Sequence, residues 1–89
     1  MPLSDNPLRV KQPTIGKLVR ALRQEMKLSQ QKFAAEFGVT FPTVNRWENG
    51  KAMPSPLARQ RIDSLLEQLG AQGEILRSAY LSSEEGRND

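Results

Sequence analysis

Apolar residues in the first half of the chain recur at helical intervals. Ile15, Leu18, Val19, Leu22 and Met26 fall at offsets that share one helical face, and Thr14 before them is a residue type that caps helix N-termini. Ser29 opens a second segment, Gln30 to Phe37, with Phe33, Ala34 and Phe37 inward, and Gly38 follows where a left-handed residue closes a helix. Thr40 caps a third segment in which Pro42 is tolerated in the first turn and Val44 with Trp47 makes an i, i+3 apolar pair, ended by Asn49-Gly50. Ser55-Pro56 is a cap followed by proline at the first helical position, and the fourth helix, Pro56 to Leu69, turns Ala58, Ile62, Leu65, Leu66 and Leu69 inward before Gly70. A short fifth segment, Glu74 to Leu81, clusters Ile75, Leu76, Ala79 and Tyr80, and the end SSEEGRND is expected to fray. No stretch alternates with period two. The expected fold class is all-α, a compact bundle of four or five helices.

The chain has 89 residues, room for one domain with a small core. Residues 1–13 carry Pro2, Pro7 and Pro13 without apolar periodicity and read as a flexible arm; its Arg9 and Lys11 can reach a phosphate backbone. Residues 14–69 form the domain, and residues 70–89 a short helix with a frayed acidic tail. Cysteine and histidine are both absent, which excludes disulfides, thiolate nucleophiles, Cys/His zinc sites and Ser-His-Asp triads. With no Gly-rich phosphate loop and no convergent pair of acids, the chain is not read as an enzyme, and no catalytic residue, metal or cofactor is expected. The start MPLSDNPLRV lacks a signal peptide's basic-then-apolar order and no apolar run approaches a membrane span, so a cytoplasmic protein with no membrane partner is expected.

Charge changes the picture once it is divided along the sequence. The net charge is +3, yet residues 9–61 hold eleven basic residues against three acids, while residues 62–89 hold two basic residues against six acids. A basic body beside an acidic tail suggests a polyanionic partner.

The most informative stretch is residues 28–50, LSQQKFAAEFGVTFPTVNRWENG. Two short helices are joined by Gly38-Val39-Thr40, with the small Ala34 where the helix axes approach and Val39 plugging the angle between them. Val44 and Trp47 face the core, and Phe41, Pro42, Asn45, Arg46 and Asn49 make up the outer face. The segment closely resembles the helix-turn-helix of the lambda-repressor and Cro-like (XRE-type) family. The matching positions are Leu28, Gln30, Ala34, Gly38-Val39-Thr40, Thr43-Val44, Trp47-Glu48, Asn49-Gly50 and Pro54, and the resemblance extends over roughly residues 14–69.

The resemblance implies a helical bundle that binds double-stranded DNA, commonly as a dimer, to regulate transcription. It implies phosphate contacts from Gln30, Thr40, Thr43, Asn49 and Lys51. Base readout would come from Arg46, which can bind guanine bidentately, and from Asn45, which can take adenine or a phosphate. Phe41-Pro42 departs from the polar residues many relatives carry there. Phe41 either presses on a thymine methyl or packs on Phe37 or Pro42. The resemblance also implies an ion pair between Arg23 and Glu48. Arg59 and Arg61 are either phosphate contacts or solvated positions.

The expected function is therefore a sequence-specific transcriptional regulator, a repressor, reading the major groove with helix 41–49. Two alternatives stand beside it: an antitoxin-type regulator of its own operon, and a helix-turn-helix scaffold for protein–protein contact. A homodimer, at least on DNA, follows from the half-operator reach of one module. Residues 70–89 are the candidate surface for a protein partner. Leu69, Ile75, Leu76, Ala79 and Tyr80 are either a dimer seam or a fifth helix completing the monomer's core.

Overall fold

The computed structural model describes residues 11–82. Most of the N-terminal arm, with Arg9, and the tail from Ser83 lie outside the described residues. The helix α1 (Thr14–Glu25) places Ile15, Leu18, Val19 and Leu22 on one fully buried stripe. Its start differs from the expectation. Thr14 is the first helical residue, and the capping position falls to Pro13, which has no side-chain acceptor. The acceptor comes instead from Gln12, whose Oε1 takes the Gly16 N–H at 2.8 Å. Gln12 Nε2 donates onward to the carbonyls of Trp47 (3.0 Å) and Ala52 (2.6 Å). One glutamine thus satisfies a free N–H of the first turn and ties α1 to the end of the third helix.

The helix α2 (Gln30–Phe37) begins on Ser29, whose hydroxyl accepts the Lys32 N–H at 3.0 Å. The helix α3 (Phe41–Glu48) begins on Thr40, which accepts the Thr43 N–H, and carries Pro42 in its first turn. All three helices close in the same way. Lys27, Gly38 and Gly50 take left-handed φ values of 59°, 68° and 75°. The next N–H then returns to a carbonyl five residues back: Leu28 to Arg23, Val39 to Ala34 and Lys51 to Arg46, at 2.9–3.1 Å. Lys27 holds a conformation that glycine adopts more readily.

The helix α4 (Pro56–Gln68) starts on Ser55, with the Ala58 N–H donating to its hydroxyl at 3.1 Å. Ala58, Ile62 and Leu66 are buried, and Leu65 and Leu69 pack at the edge of the core. The helix α5 (Ala71–Arg77) begins earlier than the expected Glu74 and runs into a π-helical turn, Ser78–Ser82. It folds back on α4 and α1. Gly73 makes this possible, because a Cβ there would run into the Leu66 carbonyl. Arg77 fastens it further through a 2.7 Å bond to Asp63. Leu76 and Tyr80 pack against the core and Leu81 is buried within it, while Ile75 remains 60% exposed. Of the two readings of this apolar patch, folding back holds for Leu69, Leu76 and Tyr80. Among the described residues there is no strand, and no helix is long and apolar enough to cross a membrane.

Candidate nucleic-acid interface

Position and orientation of α3 are set from behind. Val44 and Trp47 are buried in the core shared with α1. Trp47 and Phe37 meet edge-on with 5.9 Å between ring centroids, and Phe37 stacks on Phe33 at 4.6 Å. The α1 backbone approaches closely at Gly16, where a Cβ would strike the Trp47 carbonyl oxygen. A helix held on this side is left with one free face.

Glu48, the last residue of α3, is the one buried charged residue among those described. Its carboxylate accepts from Arg23 Nε at 2.6 Å and Arg23 Nη2 at 3.0 Å, from Gln30 Nε2 at 3.0 Å and from Arg20 Nε at 3.4 Å. Arg23 also donates Nη1 to the Leu28 carbonyl at 3.0 Å, which ties the loop before α2 into the same cluster. Burial alone would push the Glu48 carboxyl up. The donors, Arg23 and then Gln30, outweigh that effect and hold it below the usual carboxylate range. The same bond raises the Arg23 guanidinium above its ordinary value.

The cluster continues outward. Gln30 Oε1 accepts from Asn45 Nδ2 at 3.4 Å, and Asn45 Oδ1 accepts from Asn49 Nδ2 at 3.0 Å. Gln30 and Asn45 are therefore half-buried members of one network, with Asn49 exposed at its end. Thr40 and Thr43 share a hydroxyl–hydroxyl bond of 2.9 Å at the start of α3. Phe41 is 43% exposed, so packing on its neighbours covers only part of the ring. Pro42, Arg46 and Lys51 are exposed, Lys51 directly after the closure of α3. Phe41, Pro42, Arg46, Asn49 and Lys51 thus lie along or beyond the free side of α3, whereas Arg23 and Glu48 lie behind it.

Arg59 and Arg61 are drawn onto the protein. Arg59 Nη1 donates to the Pro54 carbonyl at 2.9 Å, and Arg61 lies 5.7 Å from the Phe37 ring centroid and 3.7 Å from Glu36. Sequence reasoning missed Gln12 and the inward bond of Gln30, since a lone glutamine carries no periodic signal. It also missed Arg20, although its place one helical turn before Arg23 on α1 is a signal that could have found it.

A pair of short helices joined by a glycine turn, the second anchored behind and polar in front, is a helix-turn-helix module. A family model described as helix-turn-helix matches residues 19–70, and the chain belongs to that family, the DNA-binding regulators of lambda-repressor and Cro type. No curated protein and no solved structure matches it significantly.

Proposed function

We propose that this protein is a cytoplasmic, sequence-specific repressor that inserts α3 into the major groove of double-stranded DNA as a homodimer. The reading rests on the division of α3: Val44, Trp47 and Glu48 are buried, Pro42 and Arg46 are exposed on the other side, and Phe41 is exposed at the first turn. Arg46 is the base reader, through guanine O6 and N7. Asn45 and Phe41-Pro42 complete the base-facing surface. Thr40, Thr43, Asn49 and Lys51 meet phosphates on either side, as does the second N–H of Gln30. Pairing of two copies would select half-site spacing, and the exposed Ile75 on α5 offers apolar surface for a second copy or another protein.

The test is the salt dependence of duplex binding by the full chain. If five or six Lys or Arg side chains neutralise phosphates, log affinity falls against log salt with a slope of roughly −5. A flat response would contradict the electrostatic basis of the proposal.

A further inference from the structure

Asn49 and Gly50 are the one Asn-Gly pair in the sequence. Asparagine followed by glycine carries a reaction of its own: the backbone nitrogen of the second residue attacks the side-chain amide carbon of the first. Gly50 has no Cβ to crowd that nitrogen. Asn49 is exposed and stands just past Glu48, the last residue of α3, where a helix end opens most readily.

Both reacting groups are engaged while α3 is closed. The Gly50 N–H donates to the Trp47 carbonyl at 3.1 Å. Asn49 Nδ2, the leaving group, donates to Asn45 Oδ1 at 3.0 Å in a bond that lies at the surface. Opening the last turn of α3 releases the two together. We propose that Asn49-Gly50 is a site of spontaneous deamidation, that the Asn45 side chain restrains it, and that conversion weakens DNA binding. The last step rests on the phosphate contact proposed above for Asn49; the chemistry does not.

The Gly50 nitrogen bonds to Asn49 Cγ, its proton passes through water to the departing nitrogen, and ammonia leaves a five-membered imide. Water then opens the ring. Addition at Cγ leaves aspartate, and addition at the main-chain carbonyl leaves isoaspartate. Nothing is oxidised or reduced. Either product has a carboxylate in place of a neutral donor, so no N–H remains there for Asn45 or for a phosphate. The new charge also stands at the C-terminal end of α3, where a negative charge is disfavoured. Isoaspartate in addition lengthens the backbone ahead of Lys51, whose N–H closes α3 on the Arg46 carbonyl at 2.9 Å.

Peptide mapping by mass spectrometry, on the full chain held at neutral pH, follows the exchange of NH2 for OH. In the folded wild type Asn49 should convert, while Asn45, inside the helix and followed by Arg46, should not. Asn45→Val keeps a similar helix propensity and removes the acceptor. It should speed conversion at Asn49 by roughly twofold to fivefold, the weight of one exposed hydrogen bond. An intact Asn49 in the folded chain, after the guanidinium-unfolded chain has converted fully, would overturn the site. An unchanged rate in Asn45→Val would overturn the restraint.

Asn49→Asp reproduces one product directly. On the duplex that the wild-type chain enriches from a random pool, it should bind roughly tenfold more weakly, the loss of one hydrogen bond to a charged group. Equal binding would overturn the effect on DNA. If the wild-type chain enriches no duplex, the DNA-reading role itself fails, and the mass measurement still decides whether Asn49 converts.

Discussion

Arg23 and Glu48 lie 25 residues apart in sequence and share two N–H to oxygen bonds, of 2.6 and 3.0 Å. The Glu48 side chain has no solvent exposure and that of Arg23 retains 15%. A buried carboxylate that loses its cation is left with an uncompensated charge, which is costlier than never having buried the pair. Arg23→Met should therefore destabilise the protein by about 3 kcal/mol. The double replacement Arg23→Met with Glu48→Met should cost clearly less than the two single changes together. Urea unfolding of the four proteins in a double-mutant cycle measures that coupling.

The same pair predicts an acid-sensitive stability. The Glu48 carboxyl is held lower in the folded chain than in the unfolded one, so its contribution is complete above the unfolded value of about 4.3 and is lost as pH falls through the folded value. Melting temperatures of wild type and Glu48→Gln should differ most near pH 7 and converge on acidification below about pH 4. A gap that stays constant with pH would contradict the assignment.

Gly16 separates two opposing effects. Alanine is favoured over glycine inside a helix by about 1 kcal/mol, yet a Cβ at Gly16 would meet the Trp47 carbonyl oxygen and also lie 2.9 Å from Gln12 Oε1. The obstruction is backbone, which cannot move aside as a side chain can. Gly16→Ala should be net destabilising, by about 1–3 kcal/mol. Thermal unfolding gives the sign directly.

Phe41 offers an apolar side chain at the start of α3, and the residue is 43% exposed to solvent. If it meets a thymine methyl, replacing that thymine by uracil removes about 0.8 kcal/mol of burial, near a fourfold loss of affinity. The loss should vanish in Phe41→Ala. Titrations of both duplexes with both proteins check the coupling.

Much of the fold was legible because its signals are local. Ser29, Thr40 and Ser55 each cap the helix that follows, and Gly38 and Gly50 close helices in left-handed conformations. The left-handed Lys27 was not legible, since lysine carries no such preference. Gln12 was hidden for another reason: its partners are backbone atoms of residues 16, 47 and 52, which leave no mark in side-chain pattern. Leu81 joins the core because the turn Ser78–Ser82 after α5 packs over α1, a tertiary fact with no local signal. On the interface, periodicity separates the buried side of α3 from the free side, but it cannot show that Gln30 turns inward to Glu48. That depends on a carboxylate placed by a different helix.

Selection from a randomised duplex pool with the full 89-residue chain decides whether the free face of α3 reads DNA sequence. An enriched inverted repeat is expected, whose enrichment disappears with Arg46→Ala while the melting temperature is unchanged. No enrichment by the folded wild-type protein, or the same enriched site with Arg46→Ala, would contradict it.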